Sequence, residues 1–186
     1  DEVLPTFKEI FKDFTPKELD DFKTEYAVAR VAKELYLDKG LPFGLTEKEI
    51  APVLKKYANN TKFKEALDLY THYKHGVLHL LVDAGAMSQE QFEAIVSNNP
   101  IYVKISRHMD SLDAFKKAMM RRNGKAVNER KGGSQRIEDI FDAGLIDDER
   151  VFRAAFQADL FRSIINAGKL AEQNGGTEAG FSVGAN

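Results

Sequence analysis

Apolar residues recur at three- and four-residue spacing over most of the chain, a pattern that predicts helix after helix. Thr15-Pro16-Lys17-Glu18 has the form of a capping box with proline at the first helical position, and Gly40 supplies a left-handed stop. A helix of about Pro16 to Lys39 is therefore expected, burying Leu19, Phe22, Tyr26, Ala29, Ala32 or Lys33, and Tyr36 along one stripe. A second box, Thr46-Glu47-Lys48-Glu49, leads Ile50, Val53, Leu54 and Tyr57 along a shorter helix that Asn59-Asn60 ends. From Thr61 to Ala84 the series Phe63, Ala66, Leu67, Tyr70, Tyr73, Val77, Leu80, Leu81 and Ala84 keeps helical spacing up to Gly85. Ser88-Gln89-Glu90-Gln91 starts another short helix, with Phe92, Ile95 and Val96, that stops before Asn99-Pro100.

Ile101 to Ile105 alternates in a β-like way after a proline, and reads as an extended linker. Asp110 or Ser111 is expected to cap a helix carrying Leu112, Phe115 and Met119. Asn123-Gly124 and Gly132-Gly133-Ser134 bracket a loop, after which Ile137, Ile140 and Phe141 resume a helical turn or two. A last long helix, about Asp148 to Gln173, carries Val151, Phe152, Ala155, Phe156, Leu160, Ile164, Ala167 and Leu170 behind an acidic first turn. Residues 175–186 are glycine-rich and read as a flexible tail or linker. Val82-Asp83-Ala84-Gly85-Ala86-Met87-Ser88 and Phe141-Asp142-Ala143-Gly144-Leu145-Ile146-Asp147 echo one another. Each is expected to form a glycine-capped helix corner.

Composition narrows the class without naming a function. The 186 residues are 43% apolar and 30% charged, ordinary for one folded domain. The absence of cysteine excludes disulfides, thiolate metal sites and cysteine nucleophiles together. The longest apolar candidate, Val77 to Val82, is interrupted by His79 and falls far short of the ~20 residues that cross a bilayer, so no membrane span is expected. An Asp1-Glu2 start reads as that of a fragment or processed product.

Charge is more informative when divided. Lys116 to Arg136 holds eight basic residues against Glu129 alone, a balance of +7, while the other 19 basic and 28 acidic residues leave the remainder at −9. Arg121, Arg122, Lys125, Arg130, Lys131 and Arg136 are the candidate contact residues. Cationic side chains in a glycine-containing loop suit phosphates of nucleic acid or an acidic partner surface. No aromatic residue in the segment offers a base a stacking platform. Lys131-Gly132-Gly133-Ser134 lacks the glycine spacing of a phosphate-binding loop.

His75, His79 and Asp83 share a helix face at four-residue spacing, which divalent metals can exploit, but Gly76 stands where a zinc hydrolase carries its general base. No metal, cofactor or catalytic residue is assigned on this pattern. Asp20-Asp21 and Asp147-Asp148 are read as helix-start acids. Tyr26, Tyr36, Tyr57, Tyr70 and Tyr73 are read as packing residues.

Several segments resemble one family. Tyr26-Ala27-Val28-Ala29-Arg30, the helix end Gly76-Val77-Leu78-His79-Leu80-Leu81-Val82-Asp83-Ala84-Gly85, the turn Asn98-Asn99-Pro100-Ile101-Tyr102-Val103 leading to Arg107, and Lys131-Gly132-Gly133-Ser134-Gln135-Arg136-Ile137 are similar to a helical domain of phage and prophage large polyvalent proteins. The likeness spans about Phe22 to Leu170. Lys104 departs from it by standing where the family carries a second proline, Gly133 is an extra residue, and Ile140 replaces a proline. The resemblance implies a non-enzymatic structural or interaction module of a virion-associated or ejected protein, delivered to the bacterial cytoplasm. Its partners would be other virion or polyvalent-protein domains, with nucleic acid as a further candidate. It brings no catalytic residue.

The expectation is thus an all-α protein, an irregular orthogonal bundle of about six or seven helices over residues 1–174, with a basic loop and a glycine-rich tail. Two other functions fit parts of the pattern. A stand-alone nucleic-acid-binding regulator would use the basic segment, and a metal-dependent hydrolase would use His75, His79 and Asp83.

Overall fold

The computed structural model describes residues 4–41, 43–104 and 139–173, where all regular structure is helical. There are six helices among the described residues: α1 (Phe7–Ile10), α2 (residues 16–38), α3 (Glu47–Lys56), α4 (Thr61–Asp83), α5 (Gln89–Asn98) and α6 (Ile140–Gln173). The expected all-α bundle framed by three long helices is what forms. The expected helix around Leu112, Phe115 and Met119, the basic loop and the glycine-rich tail lie outside the described residues.

Local signals set most of these boundaries. Thr15 accepts from the Glu18 backbone N–H through its hydroxyl at 3.2 Å while Glu18 takes the Thr15 backbone N–H at 2.8 Å, which closes the capping box that starts α2. Ser88 and Gln91 start α5 in the same way. A third box, Thr6 with Glu9, starts α1, an element the spacing reading did not foresee because one turn is too short to show a period. Gly85 ends α4 at φ 72°, with the Ala86 N–H on the Leu81 carbonyl at 2.8 Å and the Gly85 N–H on Val82 at 2.9 Å, a Schellman cap.

Helix α2 departs from a regular α-helix at Phe22–Tyr26 and Lys33–Asp38, which are π-helical. Each π turn holds extra residues and rotates the succeeding side chains off the 3.6-residue stripe. The buried face accordingly widens to include Ala27, Val28, Val31, Glu34 and Leu35, whereas Tyr36, expected inside, is 39% exposed.

The main core is aromatic. Phe22, fully buried, has ring centroids of Phe11 at 5.2 Å, Phe63 at 5.7 Å and Phe14 at 5.8 Å around it, and Phe141 stacks at 6.2 Å. It is fastened at its edges by Lys23–Asp139 at 2.6 Å and Lys62–Glu18 at 2.8 Å. A second apolar cluster, Val77, Leu78 and Leu81 with Val151, joins the far half of α4 to α6, and Phe92, Ile95 and Tyr102 pack on it. Residues 101–104 carry no regular secondary structure, with a bend at Ile101, and bring Val103 into the main core at 1% exposure.

The expected corner at Gly144 does not form. Helix α6 runs unbroken from Ile140 through Gly144 and Asp148, so the turn expected after Phe141 and the helix expected from Asp148 are one element. The Asp-Ala-Gly echo is a helix stop at Gly85 and a helix interior at Gly144, because tertiary packing decides the second case. A Cβ at Gly144 would stand 2.4 Å from the Tyr70 hydroxyl oxygen, so glycine lets α6 lie close against α4. Gly76 does the same for the chain start: a Cβ there would stand 2.3 Å from the nearest Leu4 methyl carbon.

Candidate functional site

Helices α4 and α6 run side by side in the same direction, Tyr70 beside Gly144, Lys74 beside Asp148 and Asp83 beside Arg162. Between them lies a buried ionic cluster. Lys74 is 1% exposed, donates to the Gly144 carbonyl at 3.1 Å and is hydrogen-bonded to the Asp148 carboxylate, whose other oxygen takes the Tyr73 hydroxyl at 3.0 Å. Asp147, also buried, gathers Lys104 at 2.8 Å, Arg150 at 3.6 Å and Lys74 at 3.9 Å. Burial, with the Asp148 charge second, pushes the Tyr73 hydroxyl up to about 12. The same causes raise Tyr70.

Reading Asp147-Asp148 as helix-start acids is therefore corrected: both sit inside α6 and face the α4 seam and Lys104. Among the described residues their positive partners come from three places, Lys74 in α4, Lys104 in the 101–104 segment, and Arg150 one turn away. Among the described residues Lys104 is the nearest cation to Asp147. The arrangement fixes the register of α4 against α6 and ties the 101–104 segment to both, since a buried carboxylate displaced from its cations is costly.

The histidine row lies on the other side of α4. His79 Nδ1 is 3.3 Å from Asp83 Oδ1, and its ring meets Phe92 edge-on at 5.0 Å, while the His75 ring meets Tyr102 at 5.8 Å. These are packing contacts between α4, α5 and the 101–104 segment. Among the described residues no three His, Cys, Asp or Glu side chains converge to hold a metal ion.

The third feature is apolar and faces outward. Val151 and Ala155 turn α6 towards the α4 cluster, but Leu145, Phe152, Phe156, Leu160, Ile164 and Leu170 fall within about 120° of one another on the side away from it. All six are exposed, Phe156 by 70%, and Phe161 beside them by 64%. The spacing reading merged two faces here, because Val151 and Phe152, or Ala155 and Phe156, are adjacent in sequence and each pair straddles the helix. A helix apolar on all sides is normally enclosed. This one is enclosed on one side, and beyond Arg162, which reaches the Asp83 carbonyl at 3.2 Å, it continues for residues 163–173, about 16 Å.

Charges along this face are internally matched: Glu149 with Arg153 at 2.5 Å and Asp159 with Arg162 at 2.7 Å. No helix among the described residues is long and apolar enough to cross a membrane. The candidate contact residues Arg121, Arg122, Lys125, Arg130, Lys131 and Arg136 lie outside the described residues. No protein family, curated protein or solved structure gives a significant match to the chain.

Proposed function

We propose that the chain is a non-enzymatic interaction module, docking through the outward apolar face of α6. The observation that carries this reading is that face itself. Large apolar side chains standing 43–70% exposed along one helix form a patch at the upper end of the ~300–600 Å² typical of the largest on a monomer, the size that marks a binding surface. The buried Lys74–Asp148 seam supports it, because it fixes α6 against α4 and so holds the outward face in place.

The basic segment Lys116–Arg136 is the second contact element of this proposal, with Arg121, Arg122, Lys125, Arg130, Lys131 and Arg136 as ligands for phosphate or an acidic surface. The motif resemblance supports placing the module in a virion-associated or ejected phage polyvalent protein, delivered to the bacterial cytoplasm.

The stability of a Phe156→Ser/Phe161→Ser variant tests the docking face, measured by urea unfolding at sub-micromolar concentration. Side chains that await a partner have nothing to unpack, so the change stays within about 1 kcal/mol. A loss of several kcal/mol, the cost of emptying a covered site, would show that the fold itself already covers the face.

A further inference from the structure

We infer that the occupant of the α6 face is a second copy of this chain, packed ridge against ridge across a two-fold axis. The inference rests on the docking role proposed for that face. Three observations select a copy over another partner.

The first is area. Seven large apolar side chains in that sector, the six named above and Ile146, are 43–70% exposed, together on the order of 650 Å² if each offers roughly 170 Å². That lies within the ~600–1,000 Å² per partner of a standard-size protein interface, toward its lower end. One face of this size is sufficient for a dimer without recruiting any other surface.

The second is shape. Phe152, Phe156, Leu160 and Ile164 form an uninterrupted row at four-residue spacing, and such rows from two helices interdigitate at a crossing angle near −50°, the commonest helix-packing class. A row of this kind is its own complement. It also lies on a helix already anchored to α4, so little ordering is required on association.

The third is charge. An isologous contact sets each group against a surface of identical composition, so a face of one sign repels its own copy. Here Glu149 is matched by Arg153 and Asp159 by Arg162, leaving the row flanked by neutral pairs. A nucleic acid or an anionic lipid surface would select a positive flank instead.

Sedimentation equilibrium of the full chain between about 1 and 100 μM tests the inference. The expected result is a dimer that Phe156→Asp and Ile164→Asp each weaken at least ~100-fold, with helicity and dilute-solution melting temperature unchanged. Leu69→Asp, at an exposed apolar position on α4, should leave the dimer intact. A wild-type chain still monomeric at 100 μM, with Phe156 freely oxidised in hydroxyl-radical footprinting, overturns the dimer and leaves the docking face standing. A monomer whose Phe156 is protected, and which Phe156→Asp destabilises, overturns both, because a part of the same chain then covers the row.

Discussion

Tyr70 and Gly144 are in direct opposition: the tyrosine hydroxyl occupies the place where a side chain at 144 would begin, 2.4 Å from the ideal Cβ position. Glycine inside a long helix ordinarily weakens it by about 1 kcal/mol relative to alanine. Here the order reverses. Gly144→Ala should destabilise the protein by ~1–3 kcal/mol, the usual cost of overpacking. With Tyr70→Phe the nearest remaining ring carbon is at 3.8 Å, ordinary contact, so the same substitution becomes neutral or stabilising. Urea unfolding of the four proteins of this double-mutant cycle measures the coupling. Equal effects of Gly144→Ala in both backgrounds would refute the close approach.

The ionic cluster predicts an ordered pair of costs. Lys74→Met leaves the buried Asp148 carboxylate with the Tyr73 hydroxyl as its remaining side-chain partner among the described residues, and should destabilise by about 3–5 kcal/mol. Lys104→Met should cost far less, since Lys104 is 26% exposed and Asp147 keeps Arg150 at 3.6 Å and Lys74 at 3.9 Å. Adding Asp148→Leu to Lys74→Met should recover most of the loss, because two apolar groups of similar volume remove the uncompensated charge. Thermal unfolding gives the order directly; a Lys104→Met variant as unstable as Lys74→Met would contradict it.

What could be read from sequence divides along physical lines. Capping boxes at Thr15, Thr46 and Ser88 and the left-handed Gly85 are local devices, complete within a few residues, and the elements they bound were legible. Gly144 carries the same Asp-Ala-Gly signature as Gly85 but answers to Tyr70, on a different helix far away in sequence, and no local rule reports that. Asp147 and Asp148 likewise look like dipole-facing acids until Lys74 and Lys104 are brought to them. The outward face of α6 was visible as an apolar row, yet its exposure was not, because periodicity shows that a stripe exists and not which stripe the rest of the chain covers. The π turns of α2 displaced Tyr36 for the same reason, a register change that no residue type announces.

Acid should loosen the fold at the seam between α2 and α4. The Glu18 carboxylate accepts from Lys62 and from both the backbone N–H and hydroxyl of Thr15, and these bonds hold it at about 2, below the ordinary 4.5. A folded-state value below the unfolded one means that the unfolded chain takes up the proton more readily. The contribution of Glu18 is therefore complete above about pH 4.5 and is lost as the pH falls from there towards 2. Glu25, lowered by Lys56 and then Tyr57, and Glu49, lowered by the Thr46 backbone N–H and then its hydroxyl, shift in the same direction and add to the slope. The unfolding midpoint in urea should fall steadily across this window, and Glu18→Gln, which titrates no proton, should show a shallower fall. Salt should flatten the wild-type curve as well, since all these carboxylates are partly or fully solvated and their ion pairs are screened. Parallel curves for Glu18→Gln and wild type between pH 4.5 and 2 would exclude Glu18 as a contributor and leave the acid response to the other carboxylates.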